Sequence, residues 1–286
     1  MSTAAAIDRL PDQISARAIP SGGPVEHKAR TTDAFQATLE AQRRAWIRKP
    51  LLRRVYHGYY RRLLAQCSPL RPIVEIGSGG GFFKEFCPEV ISTDIAKTPW
   101  ADRVVNGCSL PFGDDSVGNL VLIDVFHHLD RPAAFLTEAS RVLKHGGRIL
   151  MLEPWTSAVG YPFYRYIHRE RADRHVDPEA PFATEKAAFD GNPALPKLYF
   201  GDASPGSRVR SAGVDLQVVE VRPLPGTSWL ISGGFSAYAL LPGCLWPLAE
   251  LAEILTTPLA KIVGLRAVIA LERSRPRRRK PRDLPK

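Results

Sequence analysis

Residues 73–81, with the sequence IVEIGSGGG, combine an acidic side chain with a run of glycines directly after a short apolar segment. Glycine adopts positive φ at little steric cost and leaves no side chain between the backbone and a ligand. An apolar strand that leads into such a turn and then into a helix is how an α/β fold brings bare backbone against a cofactor. The segment therefore predicts a cofactor-binding turn.

A second acid follows at the spacing of a nucleotide-binding βαβ unit. Residues 90–94 (VISTD) form a β-type run that ends at Asp94, nineteen residues after Glu75. A carboxylate at the end of the second strand can accept hydrogen bonds from both hydroxyls of a ribose. The dinucleotide fingerprint G-x-G-x-x-G requires glycine where this chain has Phe82. That difference argues against NAD.

The glycine-rich segment resembles the first motif, E-x-G-x-G-x-G, of class I S-adenosylmethionine-dependent methyltransferases. Residues 106–132 (NGCSLPFGDDSVGNLVLIDVFHHLDRP) and 141–154 (RVLKHGGRILMLEP) resemble later motifs of the ubiquinone and sterol methyltransferases in this class, the type 11 group. The resemblance implies an α/β fold: a Rossmann-like, seven-stranded class I methyltransferase sheet, mostly parallel with an antiparallel edge pair, and helical cap insertions. It also implies S-adenosyl-L-methionine as cofactor and methyl transfer as activity.

The resemblance assigns cofactor binding to residues at the carboxyl ends of the first four strands. They are Glu75, Gly77, Ser78, Gly79, Gly81, Asp94, Ile95, Asn106, Gly107, Cys108 and Asp124. Where the family usually has an acid for the adenine amino group, the amide oxygen of Asn106 can accept the same hydrogen bond. The chain also has Val117-Gly118 in place of Phe-Asp and His145 in place of proline, which we interpret as neutral changes in turns.

Candidate catalytic residues are His128 and His168. Methyl transfer requires an acceptor atom aligned with the S–CH₃ bond, and an oxygen acceptor of high pKa also needs a general base. His128 follows the predicted fourth strand and is favoured over His127, whereas His168 lies in an aromatic segment, 153–175. Glu153 is a candidate for orienting the acceptor. No metal site is predicted, because the four cysteines and seven histidines lack metal-like spacing.

The pattern predicts a single methyltransferase domain at 32–272, between a flexible leader (1–31) and a basic disordered tail (273–286). Within this domain, 72–153 is the cofactor-binding core, and 154–213 and 223–264 are substrate cap segments. Strands are expected at 72–76, 90–93, 103–105, 119–123, 147–153, 214–221 and 265–273. Apolar residues near a 3.6 period predict helix over 32–66, broken at Pro50, and over 132–143, ended by Gly146-Gly147.

The net charge of +10 is concentrated in the tail, where residues 273–286 hold eight basic residues and one acid. The tail is either solvated or in contact with anionic lipid or RNA. Segment 223–249 contains no charge, but its prolines and glycines argue against a transmembrane helix. It is either a cap over the active site or a surface that dips into a membrane. Cysteine usage and the absence of a signal-peptide pattern predict a cytoplasmic protein, which leaves a peripheral position at the inner membrane face open.

The acceptor is expected to be a small molecule or a lipid-linked or saccharide group. Aromatic and basic side chains alternate in 153–175, and residues 192–200 and 229–242 resemble methyltransferases of bacterial glycan and lipid gene neighbourhoods. One alternative is an RNA-binding or RNA-methylating protein that uses the basic helix and tail, although no N-P-P-Y or Pro-Cys motif points to nucleic-acid bases. The other is a non-catalytic S-adenosylmethionine-binding protein. The sequence does not predict the oligomeric state.

Overall fold

The computed structural model describes residues 28–177, 190–201, 214–236 and 238–274. Within them, seven strands form one sheet. The strands are β1 (Ile73–Ile76), β2 (Ile91–Asp94), β3 (Arg103–Val104), β4 (Val117–Ile123), β5 (Leu143–Pro154), β6 (Leu216–Leu224) and β7 (Arg266–Arg273). Their order is β3-β2-β1-β4-β5-β7-β6. The pairs among β1 to β5 are parallel, whereas β7 is antiparallel to β5 and to β6. This confirms the predicted mostly parallel sheet with an antiparallel edge pair.

The strand order places a crevice at one edge of the sheet. β1 lies between β2 and β4, so the chain moves to one side of β1 after that strand and to the other side after β4. Ligands of such sheets bind at the carboxyl ends of the strands where the direction changes, here β1 and β4. β7 runs the opposite way, so its first residue, Arg266, pairs with Pro154 at the end of β5. Arg266 therefore lies at the same edge as the glycine-rich turn.

Helices cover both faces of the sheet. They are α1 (Lys28–Arg48), α2 (Pro50–Gln66), α3 (Phe82–Phe86), α4 (Pro132–Val142), α5 (Gly160–Pro162), α6 (Leu195–Phe200), α7 (Thr227–Ser232), α8 (Trp246–Thr256) and α9 (Ala260–Val263). Successive side chains of a strand point to opposite faces. Accordingly, Val121 of β4 shares a buried cluster with Leu63 of α2, whereas its neighbour Leu120 shares one with Leu136 of α4.

The predicted helix over 32–66 is present and is interrupted where expected. α1 ends at Arg48, and Lys49 leaves helical geometry with φ −114° and ψ 87°. Pro50 then occupies the first turn of α2, where its missing N–H removes no helical hydrogen bond. α1 begins at Lys28, so residues 28–31 of the predicted leader belong to this helix.

The predicted end of α4 at Gly146-Gly147 is wrong. The helix ends at Val142, because Leu143 already has extended geometry with φ −67° and ψ 139°, and the glycines lie inside β5. A Cβ on Gly147 would lie 2.8 Å from the carbonyl oxygens of Gly118 and Lys144. The glycine therefore permits a close approach of β4 and β5 rather than ending a helix.

Gly118 also has a structural reason to be glycine. A Cβ there would lie 2.3 Å from the carbonyl carbon of Leu70, so the backbone of the segment before β1 passes directly over it. Asn119 holds the same segment: its side-chain amide donates to the carbonyl oxygen of Leu70 at 2.8 Å and to that of Ser68 at 3.1 Å. Gly118 therefore lies inside β4 and not in a turn as expected, and its departure from the family pattern is matched to local packing.

Between β5 and β6, and again between β6 and β7, the described residues form short helices and turns. Of the helices described, none is both long enough and apolar enough to cross a membrane. Parts of the predicted cap segments (178–189, 202–213 and 237) lie outside the described residues, as do leader residues 1–27 and tail residues 275–286. Arg273, assigned to the tail from sequence, is the last residue of β7.

Candidate active site

The turn after β1 is held in a left-handed conformation at three positions. Gly77, Gly79 and Gly81 have φ of 71°, 51° and 73°, which glycine adopts without a steric penalty. A Cβ on Gly77 would lie 2.6 Å from Cγ2 of Val125, so the turn packs directly against the segment after β4. The backbone N–H of Ser78 donates to the carbonyl oxygen of Thr93 at 2.8 Å and ties the turn to β2.

Asp94 ends β2 directly beside this turn. The N–H of Gly79 donates to its Oδ2 at 2.8 Å, and the N–H of Ala96 donates to Oδ1 at 3.3 Å. Burial raises the pKa of the Asp94 carboxyl, and these backbone donors act in the opposite direction. Ile95, the next residue, leaves 61% of its surface exposed. An acid at a strand end and an exposed apolar neighbour are suited to a ribose and a base.

Glu75 is buried behind the turn, with 3% of its surface exposed. Burial raises the pKa of its carboxyl to about 8, and the nearby Asp94 carboxylate adds to the shift. Within the described part of the chain, Glu75 Oε2 and Ser78 Oγ are buried without a hydrogen-bond partner. Buried polar atoms are nearly always paired, so two such atoms beside one glycine-rich turn indicate a place for a polar ligand.

Residues 106–108 form a tight turn after β3. The side-chain oxygen of Asn106, predicted to receive an adenine amino group, accepts the backbone N–H of Cys108 at 2.9 Å. A carbonyl oxygen has two lone pairs, so one acceptor position remains. Gly107 is buried, and Cys108 contacts the carbonyl oxygen of Arg131 through its Sγ at 3.6 Å.

Asp124 follows β4 with a φ of 58°, which is uncommon for a residue with a side chain. Its Oδ2 accepts a hydrogen bond from the Tyr56 hydroxyl at 3.0 Å, and its Oδ1 lies 2.6 Å from Nη2 of Arg266. Burial raises the pKa of the Asp124 carboxyl, while the Arg266 charge opposes that shift. The sequence predicted Asp124 as a cofactor contact but did not predict this ion pair.

Arg266 lies against Trp229 and interacts electrostatically with Tyr59. Its guanidinium carbon lies 5.4 Å from the centre of the Trp229 ring, and its side chain is 3% exposed. Within the described residues, Arg266 Nε, Tyr59 Oη and Trp229 Nε1 are all buried without a hydrogen-bond partner. We call Tyr59, Trp229 and Arg266 the donor cluster.

His127 is held between two acids and is unsuited to act as a base. Its Nδ1 lies 2.6 Å from Glu153 Oε2, and its Nε2 lies 3.0 Å from Glu170 Oε2. Burial alone lowers the pKa of His127, but the two carboxylates raise it to about 10. Glu153 Oε1 accepts the backbone N–H groups of Val125 and Phe126. Glu153 therefore fixes the turn after β4, and its expected role of orienting an acceptor is not supported.

The two predicted bases lie in different surroundings. The His128 ring is centred 4.0 Å from that of His127, and its Nε2 is 3.9 Å from the Glu170 carboxylate. The His168 ring packs 5.1 Å from Tyr164 and 6.3 Å from Trp229, measured between ring centres. Burial lowers the pKa of His168, which keeps the imidazole neutral and able to accept a proton. His168 is thus the candidate base that lies beside the donor cluster.

A metal ion is the other ligand that this region could hold. Ligand atoms of His127, His128 and Glu170 lie within 4.8 Å of one another. Both ring nitrogens of His127 already face carboxylates at hydrogen-bond distance, an arrangement that a protonated imidazole satisfies. We therefore assign no metal to it.

Comparisons with known proteins agree with this geometry. Residues 74–151, which include the glycine-rich turn, Asp94 and Asp124, match the family model described as "Methyltransferase domain". The chain carries a class I S-adenosylmethionine-dependent methyltransferase domain. No curated protein matches the chain.

Solved structures similar to this methyltransferase include a SAM-dependent methyltransferase from Archaeoglobus fulgidus. That similarity covers 77% of this chain and 94% of the other, with 17% identity and a TM-score of 0.46. Another is the geranyl diphosphate C-methyltransferase from Streptomyces coelicolor A3(2), which covers 77% of this chain and 78% of the other, with 17% identity and a TM-score of 0.44. The fold assignment rests on the strand order of this chain.

The cofactor of the methyltransferase is S-adenosylmethionine, and the residues present fit it. The turn after β1 offers bare backbone, Asp94 offers a carboxylate at a strand end, and the unpaired Glu75 Oε2 and Ser78 Oγ offer polar partners. The individual contacts of the predicted cofactor residues remain predictions.

Sequence reasoning missed the donor cluster and Glu170. Arg266 is the charged residue in the otherwise apolar stretch LRAVIAL. A single charge in a buried strand is rare without a partner or ligand, and this was the sequence signal for Arg266. Tyr59 gave no such signal, because an aromatic at a helical spacing is more often part of the core. Glu170 lies among arginines on a segment whose path over the sheet depends on tertiary packing.

Proposed function

We propose that this methyltransferase acts on an oxygen-rich acceptor, either a small molecule or a lipid-linked or saccharide group, that binds at the donor cluster. One observation carries the proposal. Three buried donors of different chemical types, Arg266 Nε, Tyr59 Oη and Trp229 Nε1, lack acceptors within the described residues. An unsatisfied buried donor costs about 1–3 kcal/mol, so a ligand with hydroxyl, carboxylate or phosphate oxygens is favoured there.

The position of the donor cluster supports its role in acceptor binding. Arg266 pairs with Pro154 at the carboxyl end of β5 and forms the ion pair with Asp124 at the end of β4. Asp124 in turn directly precedes Val125, which packs on Gly77 of the cofactor turn. An acceptor at the donor cluster is therefore adjacent to the cofactor region at the same edge of the sheet.

The residues of the donor cluster would orient the acceptor and exclude water. When bound, S-adenosylmethionine supplies a methyl group activated by the sulfonium, so alignment of the acceptor atom is the main task of the protein. Tyr59, Trp229 and Arg266 bind acceptor oxygens and fix their position. If the acceptor atom is a hydroxyl oxygen, neutral His168 takes its proton as the new O–CH₃ bond forms.

Conservative variants separate acceptor binding from cofactor binding. Methyl transfer from radiolabelled S-adenosylmethionine onto lipid and glycan extracts would identify an acceptor. With that acceptor, Tyr59→Phe and Trp229→Phe are expected to raise KM about tenfold while leaving the affinity for S-adenosylhomocysteine unchanged. Tyr166→Phe, at a side chain that is 77% exposed, is the control. Unchanged KM in both variants would contradict the proposal.

The basic face of α1 and α2 gives no support to the RNA alternative. Arg43 donates to the carbonyl oxygen of Gly80 at 3.1 Å and forms an ion pair with Glu85, and Arg53 donates to the carbonyl oxygens of Trp46 and Ile47. Part of this basic run therefore serves intramolecular packing. The non-catalytic alternative is not favoured either, since the departures from the family pattern that could support it, Asn106 and Gly118, both fit the local structure.

We also propose a cytoplasmic location and a cap formed by 154–213 and 223–264. All four cysteines are free thiols, which suits a reducing compartment.

The cap is supported by a contact between its two segments. The ring of His168, from the first segment, is centred 6.3 Å from that of Trp229, which belongs to the second segment and to the donor cluster.

A further inference from the structure

Helix α8 has its apolar face turned towards solvent. Leu248, Leu251, Ile254 and Leu255 leave 53%, 51%, 61% and 66% of their surfaces exposed. On a helical wheel these positions form one stripe. The opposite face carries Glu253, whose carboxylate accepts the backbone N–H of Ser228 at 2.9 Å and its hydroxyl at 3.1 Å. The helix packs on the core through Ala249 and Trp246, and its aliphatic stripe is a second apolar surface that faces solvent.

The exposed apolar stripe continues beyond α8. Leu259 and Ile262 leave 51% and 55% of their surfaces exposed. Val159 is 50% exposed and donates its N–H to the carbonyl oxygen of Ile262 at 3.0 Å, so it adjoins the same surface. We call Leu248, Leu251, Ile254, Leu255, Leu259 and Ile262 the α8–α9 face. Contiguous exposed aliphatic surface of this kind marks an interaction site rather than ordinary protein surface.

Basic side chains lie near both ends of the α8–α9 face. Arg54 is exposed and places its guanidinium carbon 4.9 Å from the centre of the Trp246 ring at the start of α8. Arg48 is exposed at the end of α1, where it lines a cavity together with Pro242 and Gly243, which precede α8. Lys261 is exposed between Leu259 and Ile262. Glu250 is the exposed acid of α8. Cations therefore predominate around an aliphatic centre.

We propose that the α8–α9 face docks onto a lipid bilayer with anionic headgroups. An amphipathic helix that lies in the plane of a membrane inserts its aliphatic stripe among the acyl chains, while flanking Arg and Lys contact the headgroups. Leu251 and Leu255 are the inserted side chains, and Arg48, Arg54 and Lys261 are the headgroup contacts. The charge of the rim selects an anionic bilayer over a second copy of this chain, which would bring the same cations together.

The position of the face connects it to the acceptor region. Glu253 on the inner side of α8 holds Ser228, the neighbour of Trp229 in the donor cluster. A bilayer at the α8–α9 face would therefore lie on the outer side of the cap that contributes Trp229. Docking itself requires neither the cofactor nor the acceptor, so it stands independently of the proposed reaction.

Vesicle flotation of the full chain tests the docking. The protein is expected to float with phosphatidylcholine vesicles that contain phosphatidylglycerol and to float much less with phosphatidylcholine alone. The double variant Leu251→Gln/Leu255→Gln should lower the partition coefficient at least about tenfold, because two half-exposed leucines lose their apolar surface. Val219→Gln is the matched control, since Val219 is 52% exposed on the edge strand β6. Lys261→Gln should weaken binding to anionic vesicles alone.

Circular dichroism and S-adenosylhomocysteine affinity verify that each variant is folded. Flotation of the leucine variant at the wild-type level overturns the proposal, and so does equal flotation with both vesicle types. Light scattering measures the oligomeric state and so tests whether a second copy of this chain occupies the face instead. A wild-type dimer that the leucine substitutions convert to a monomer, with no flotation, would assign the face to a second copy and also overturn the proposal.

Discussion

The backbone N–H of Gly79 donates a 2.8 Å hydrogen bond to the carboxylate of Asp94, so the glycine-rich turn and the acid at the end of β2 are held together as one unit. Because the turn contains four glycines, it would have considerable conformational freedom in the absence of ligand without this bond. Because the bond uses one oxygen of Asp94, the carboxylate is oriented before a cofactor arrives. Preorganisation of this kind lowers the ordering cost of binding.

Asp94→Ala should weaken cofactor binding. The substitution removes the predicted acceptor of two ribose hydroxyls, at about 1.5–3 kcal/mol for a charged hydrogen-bond partner, or roughly ten- to a hundredfold in Kd. Calorimetric titration with S-adenosylhomocysteine measures it. Asp215→Ala, at an exposed site before β6, is the control. An unchanged Kd in Asp94→Ala would show that Asp94 does not bind the ribose.

Gly77→Ala should destabilise the fold as well as the cofactor site. Alanine at a φ of 71° is strained, and its Cβ would lie 2.6 Å from Val125 Cγ2, so we expect a loss of more than about 1 kcal/mol in unfolding free energy. Gly58→Ala is the matched control. Nothing lies within 4 Å of a Cβ there, and alanine in the interior of α2 should stabilise by about 0.5–1 kcal/mol. Urea unfolding of both variants tests whether the unfolding free energy falls in Gly77→Ala and rises in Gly58→Ala.

Glu75 should make the ligand-free protein less stable as pH rises. Its pKa is raised to about 8 in the folded state by burial and by Asp94, against 4.5 as the ordinary value. Between these values the folded state binds more protons than the unfolded state, so the unfolding free energy falls with increasing pH and levels off above about pH 8. Denaturation midpoints from pH 5 to pH 9 measure the slope. Glu75→Gln is expected to flatten it, and an identical slope in the variant would exclude Glu75 as its source.

His127 should contribute to stability, with a pH dependence on the alkaline side. Its pKa is raised from 6.5 to about 10 by Glu153 and Glu170, so its contribution is complete below pH 6.5 and is lost as the pH rises through 10. His127→Ala leaves Glu153 buried without its partner and should cost about 3–5 kcal/mol. Thermal unfolding of the wild type and of His127→Ala across pH 6 to 10 tests this, with His145→Ala, an exposed histidine, as control.

The sequence was sufficient to predict the order and type of the elements that carry the cofactor region. Local backbone geometry determines where glycines follow an apolar run and where an acid ends the next apolar run. β1, β2 and β4 accordingly lie within two residues of their predicted bounds. The end of α4 could not be predicted, because Gly147 is required by the approach of β4 to β5 and Gly146 by a positive φ of 80° within β5, not by a helix end.

The acceptor region depends on contacts that are distant along the chain. Tyr59 lies on a helix that precedes β1 in the sequence, and Trp229 lies on a helix that follows β6. Arg266 belongs to β7, which follows both helices. Their proximity follows from the antiparallel insertion of β7 next to β5, which no local pattern encodes. The surroundings of His127 likewise depend on distant residues, because Glu153 and Glu170, which lie on either side of its ring, are 26 and 43 residues away along the chain.

Asp124→Asn should destabilise the protein strongly, and Asp115→Asn should not. Both aspartates have positive φ, at 58° and 54°, which asparagine tolerates, and each pairs with an arginine of β7, Arg266 or Arg273. Arg266 is buried, so loss of its counter-charge leaves an uncompensated cation and should cost about 3–5 kcal/mol. The Asp115 side chain is 53% exposed, where such a pair contributes about 0–1 kcal/mol. Urea unfolding of the two variants compares one substitution in two environments, and equal losses would show that burial of Arg266 does not set the strength of its ion pair.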